Sequence, residues 1–268
     1  MTVVQLQRGK SGSRGTAGDK SPLIAAIDIG STKVACMIAQ VVSVKNRAFG
    51  GERKRQLKVL GFAHQASRGV RAGTVVDLVE AERSIRLVVD ATERQAGKAV
   101  DSVYVNVSGG RPICSTYKAQ TKTSGGQVSA KDVGRLIELA HRKIDPGKRI
   151  ILHTNPTGYG LDHIGNLRDP RGMFGERVGI QLNAVSVEPG PIKNLAMVIK
   201  RCHLDIAGLV IAPYAAGRSV LVEDEVNMGV ACIDLGGETS TISVFSGGNI
   251  IFADAVPVGG HHITMDIA

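Results

Sequence analysis

One pattern occurs twice in this chain and constrains its fold more than any other feature. Ile27-Asp28-Ile29-Gly30-Ser31-Thr32 and Ile233-Asp234-Leu235-Gly236-Gly237-Glu238-Thr239 share a plan: a buried strand ending in Asp, a turn of small residues, then a second apolar strand. Repetition of a whole supersecondary unit points to two related halves built around equivalent hairpins. Gly, Ser and Thr in a tight turn let backbone N–H groups approach a phosphate, and the hydroxyls add donors. An Asp at the strand end can hold Mg²⁺ through water, because Mg²⁺ takes a few carboxylates together with phosphate oxygens. A single copy reads equally as an ordinary Asp-Gly hairpin; duplication favours two hairpins gripping one polyphosphate.

The flanking periodicity agrees with an α/β chain. Leu23–Gly30 and Val34–Val42 are apolar runs of strand type, followed by a basic turn (Arg47–Lys58) and a third strand, Leu57–Ala66. Short connections make these an antiparallel meander. From Asp77 the period becomes helical, with Leu78, Ala81, Ile85, Val88, Val89 and Thr92 on one face and Gly97 as the stop. Val103–Gly109 is a strand. Residues 110–187 read as a self-contained insert. It holds a strand near Ile113–Tyr117, a polar loop Thr121–Gln127, and a helix opened by a Ser129/Asp132 capping pair. Strands Ile150–His153 and Val178–Val187 complete it, with an exposed loop and hairpin at Gly158–Gly175. Beyond it the pattern predicts a helix (Pro191–Cys202), a strand (Ile206–Ile211), a helix (Tyr214–Glu225), a hairpin (Gly229–Phe245 with Ile250–Val256) and a helix start at Gly260.

Composition excludes several functions. The chain has 268 residues with a formal charge of +9, yet only 3% aromatic residues and no Trp, so the stacking platforms of a nucleic-acid binder are scarce and no nucleic-acid partner is expected. The charge is assigned to a disordered basic tail, residues 1–21, and to surface loops including Arg53-Lys54-Arg55, Arg142-Lys143 and Lys148-Arg149. No apolar run has the length of a membrane span, and the first twenty residues lack a signal-peptide core. Cys36, Cys114, Cys202 and Cys232 show no metal spacing and read as reduced core thiols of a cytosolic protein. His261-His262 lacks a third ligand and reads as a helix start.

The two Asp-Gly hairpins resemble the first and second phosphate motifs of the superfamily of actin, heat-shock ATPases and sugar kinases. Within it, Ser67–Gly97, Val103–Gly109, Arg149–Asp162, Pro191–Gly237 and Val256–Ala268 resemble, in order, the FtsA family of bacterial cell-division proteins. The resemblance implies an actin-like (ribonuclease H-like) α/β fold of mixed sheets and helices with an inserted α+β subdomain. The first actin-like subdomain is residues 22–109 with 188–204, the insert is 110–187, and 205–268 begins a second actin-like subdomain. The adenosine motif, the rest of that subdomain and a terminal amphipathic membrane helix of the family would follow Ala268, so the chain reads as an N-terminal part.

The same resemblance implies ATP and Mg²⁺ as cofactors. Nucleotide would meet Asp28, Gly30, Ser31, Thr32, Lys33, Asp234, Gly236, Gly237, Glu238 and Thr239, with Mg²⁺ held through water by Asp28 and Asp234. Catalysis, at most a slow ATPase, would fall to Asp28, with Asn194 positioning water; helix capping is the other reading of Asn194. Implied partners are the tubulin-like ring protein FtsZ, further copies of the chain, and later division proteins through residues 110–187. The implied location is the cytoplasmic side of the cell membrane at the division site. Two departures stand out: Glu238 replaces the third glycine of the second turn, and Ser240-Thr241 stands where an acid is usual. A small-molecule (sugar or acetate) kinase of the superfamily and a nucleotide-free interaction module are the alternatives.

Overall fold

The computed structural model describes residues 22–45 and 53–268, so the expected tail (1–21) and the first half of the expected basic turn lie outside the described residues. In chain order the first lobe contains β1 (Leu23–Ile29), β2 (Lys33–Lys45), β3 (Arg53–Ala66), the miniature hairpin β4 (Val70–Arg71) and β5 (Thr74–Val75), α1 (Leu78–Ala96) and β6 (Ser102–Val107). The next segment holds β7 (Ile113–Lys122), α2 (Ala130–Arg142), β8 (Ile150–Leu161), β9 (Ile164–Leu167) and β10 (Arg177–Val187). After it come α3 (Pro189–Arg201), β11 (Asp205–Ile211), α4 (Ala212–Val220), α5 (Glu223–Met228), β12 (Val230–Leu235), β13 (Ser240–Ser246), β14 (Asn249–Val256) and α6 (Gly260–Ile267).

The main sheet has the order β11-β6-β1-β2-β3: β1, β2 and β3 form an antiparallel meander, while β6 joins β1, and β11 joins β6, in parallel. Alternation buries Ala25, Ile27 and Ile29 of β1, and Val103, Val105 and Val107 of β6, in one core. That core is closed by α1, whose buried face is Ala81, Ser84, Ile85, Val88, Val89 and Thr92. Asp77 starts this helix by accepting from the amides of Val79 and Glu80, and Gly97 ends it at φ 61°. Where β3 crosses α1 the backbones nearly touch: a Cβ on Gly61 would lie 2.5 Å from the Thr92 carbonyl oxygen and 2.9 Å from the Ala96 nitrogen.

Residues 113–187 form a second sheet, β7-β10-β8-β9. One face of it meets α2 through Leu136 and Ala140 against Ala119, Val178, Ile180 and Leu182. The capping pair of Ser129 and Asp132 is present in both directions, and Ser124 also donates to Asp132 at 2.6 Å. These hydroxyl and amide donors hold the Asp132 carboxyl far below the usual carboxylate range. A third sheet, β12-β13-β14, completes the chain. Its Phe245 packs into the first-lobe core, while Ile233, Leu235, Met265 and Ile267 of β12 and α6 remain exposed.

Several elements differ from the sequence expectation. Arg53–Lys58 is the start of β3, paired along Gln40–Lys45, instead of a turn. The expected helix Tyr214–Glu225 is two helices, because Leu221 is extended and Glu225 recaps the chain by accepting from the Val222 amide at 2.9 Å. β8 continues through Pro156, Gly158 and Gly160, since β10 pairs along its whole length with irregularities at Gln181/Leu182 and Val185/Ser186. β7 likewise runs on through Thr121 and Lys122.

Gly61→Ala should therefore destabilise the protein by about 1–3 kcal/mol through overpacking against backbone, read as a lower urea midpoint. Gly134→Ala, on the exposed face of α2 with nothing near its missing Cβ, should stabilise the protein by about 0.5–1 kcal/mol, read as a higher urea midpoint. Burial lowers the His153 imidazole to about 4, and its Nε2 accepts from the Ile211 amide at 3.0 Å. Protons then bind the unfolded chain first, so the stability this group contributes is present above pH 6.5 and is lost as pH falls towards 4. His153→Gln should flatten that part of a stability–pH curve.

Candidate functional site

Each of the repeated motifs folds into a hairpin with a two-residue tip. In the first, the Gly30 amide donates to the Lys33 carbonyl at 3.0 Å, leaving Ser31-Thr32 at the tip; in the second, Gly236 donates to Thr239 at 2.8 Å, leaving Gly237-Glu238. The register is the same in both, with Asp28 opposite Ala35 and Asp234 opposite Thr241. The tip amides of Ser31, Thr32, Gly237 and Glu238 make no hydrogen bond among the described residues. Asp28, Asp234 and Lys33 are exposed at the hairpin ends.

The two tips meet. A Cβ on Gly237 would lie 2.2 Å from Thr32 Cγ2, so any larger residue here would displace the Thr32 side chain. The carbonyls of Gly236 and Gly237 accept from the Gly260 and His261 amides, each at 2.8 Å, which fixes the second turn on the N-terminus of α6. His262 is turned inward on its own helix start, its Nδ1 accepting from the Gly259 amide at 3.2 Å. Among the described residues no cluster of three or more His, Cys, Asp or Glu could hold a metal on its own.

Two participants escaped the sequence reading. Asn106, on β6 beside β1, donates through Nδ2 to Asp28 Oδ1 at 2.8 Å, and its own carbonyl oxygen is buried without a partner. Its signal was a lone polar residue between the buried Val105 and Val107 of VYVNVSG. The β4–β5 hairpin also enters the site: the Ala72 amide donates to Glu238 Oε2 at 2.7 Å and the Gly73 amide to Ser31 Oγ at 3.1 Å. Glu238 thus points at the first lobe and away from the tip. Asn194 lies exposed on α3, outside this set of hydrogen bonds. The four cysteines are free, and burial pushes the thiols of Cys36 and Cys114 up and that of Cys202 to about 11, which suppresses thiolate chemistry.

Comparison with known proteins gives this geometry a family. A family model described as the SHS2 domain inserted in FtsA matches residues 109–186, and one described as cell division protein FtsA matches residues 231–268. Cell division protein FtsA of Agrobacterium fabrum is 43% identical over 249 residues, covering 93% of this chain and 56% of that protein. The Escherichia coli protein of the same name is 28% identical over 246 residues, covering 92% of this chain and 56% of its own length. The chain therefore spans about half the length of these curated relatives. Among solved structures, a chain of the PilM–PilN type IV pilus biogenesis complex superposes at TM-score 0.55 with 15% identity, over 91% of this chain and 64% of that one, a likeness of fold alone. The duplicated hairpins, the mixed sheets and these relatives agree: the fold is the actin-like α/β fold, and the chain belongs to the FtsA family of cell-division proteins.

Proposed function

We propose that this chain carries the phosphate-gripping part of an ATP-binding, actin-like division adaptor. The supporting observation is the meeting of two congruent tips at Gly237 and Thr32, each with free amides and an exposed Asp at its strand end. On this reading the amides of Ser31, Thr32, Gly237 and Glu238 take the phosphate oxygens. Gly30 and Gly236 shape the turns, Lys33 adds positive charge, and Thr239 closes the second tip.

The donor set suits Mg²⁺. Asp28 and Asp234 supply hard carboxylate oxygens, and Asn106 holds Asp28 in one orientation while leaving an amide oxygen unpaired. Bound there, Mg²⁺ neutralises phosphate charge. Glu238 is compatible with an anionic ligand because its charge is received by the Ala72 amide. Asn194 is assigned the positioning of water, and hydrolysis is slow and gates assembly.

The reading extends to partners by family membership. FtsZ binding falls to the part of FtsA-family proteins outside this chain. The insert, residues 110–187, contacts a neighbouring copy or later division proteins, and the assembly works on the cytoplasmic face of the membrane at the division site. No helix among the described residues is long and apolar enough to cross a membrane.

Isothermal titration of the full chain with Mg-ATP tests the nucleotide reading. Saturable binding should weaken about tenfold or more in Asp28→Ala, as expected on losing a charged ligand worth about 1.5–3 kcal/mol. Asn106→Ala should weaken it less, and chiefly when Mg²⁺ is present. Absence of any saturable binding would leave a nucleotide-free interaction module, and phosphoryl transfer to a small sugar would replace the adaptor with a kinase.

A further inference from the structure

We infer that Glu238 is a positioning residue: its carboxylate closes the cleft by docking on the Ala72 amide of the β4–β5 hairpin, and that hairpin passes the state of the cleft to the root of the inserted sheet. The inference rests on the proposed nucleotide role of the two turns for what is positioned, but the latch itself stands on geometry alone.

Ala72 and Gly73 lie at φ 46° and 69°, so two successive residues are left-handed and their N–H groups point to one side as a small anion-receiving concavity. Each lobe fills one place in it. Ser31 Oγ comes from the first turn at 3.1 Å and Glu238 Oε2 from the second at 2.7 Å. The contact with Glu238 is the shorter, as expected of a charge-assisted bond, and such bonds are about twice as strong as neutral ones. The equivalent position of the first hairpin is Thr32, whose side chain instead meets Gly237. Glu at this point of the second tip is long enough to span the gap between lobes, and doing so removes its charge from the phosphate side.

The receiving hairpin cannot drift independently. A Cβ on Gly73 would lie 2.7 Å from the Gly109 nitrogen, and one on Gly109 would lie 2.4 Å from the Gly73 carbonyl oxygen. The two backbones are in contact where β6 leads into the insert. One residue on, the Gly110 carbonyl accepts from the Glu188 amide at 2.8 Å and pins the insert's entrance to its exit. Opening the latch therefore frees a hairpin seated directly on that junction.

Amide hydrogen exchange on the full chain, without nucleotide, tests this. Glu238→Ala should speed exchange at Ala72 by about tenfold or more and raise exchange at Glu188, whose amide donates to the Gly110 carbonyl, with the amides of β1 and β2 unchanged. Glu238→Gln keeps an acceptor oxygen and should restore most of the protection, whereas Ser31→Ala should release Gly73 alone. Unchanged exchange at Ala72 in Glu238→Ala, or release of Ala72 without any response at Glu188, would overturn the inference. Since no nucleotide is present, a failure to bind Mg-ATP would count against the proposed function and leave this result standing.

Discussion

The meeting of Gly237 with Thr32 is the contact on which the arrangement of this molecule depends. Two hairpins that are far apart in the chain approach until the Thr32 side chain packs directly on the Gly237 α-carbon. That closeness sets the separation of the exposed aspartates and of the tip amides, and so decides what could be held there. It is maintained from both sides: α6 amides fix the carbonyls of the second turn, and the β4–β5 hairpin bonds to both tips.

The inserted sheet is bound into the same body. Cys114 Sγ accepts from the Ala253 amide at 3.0 Å, and Asn183 donates to the Ile251 carbonyl at 2.8 Å, so β7 and β10 are tied to β14 of the second lobe. Arg149 donates to Ser186 Oγ at 3.0 Å and to the Arg111 carbonyl, bracing the entrance of the insert against its exit. His153 Nε2 accepts from the amide of Ile211, the last residue of β11 in the main sheet, and its ring lies against Tyr214. The inserted sheet is thus bonded directly to the third sheet, which carries the second of the two hairpins.

Much of the local architecture was legible because it is enforced locally. The alternation of β1, the buried stripe of α1 and its Asp77 and Gly97 boundaries, and the Ser129/Asp132 box all follow from neighbours within a few residues. The expectation faltered where a distant partner overrode the local signal. Pro156 and the nearby glycines argue against a strand, yet β10 holds β8 extended; Leu221 interrupts a helical pattern so that two short helices can follow the third sheet. Polar residues were harder still. Asn106 looks like an ordinary outward strand residue until the parallel pairing of β6 with β1 sets it beside Asp28.

By itself the sequence determined the duplicated hairpin, the small residues its tips require, and the acids at their strand ends, since each is a constraint of short-range sterics and strand period. Only the tertiary structure decided that the tips face one another and that Glu238 turns from the phosphate side to the Ala72 amide, 166 residues away. A carboxylate's effect is set by which donors surround it, and those donors are brought by the docking of two lobes, which no local pattern encodes.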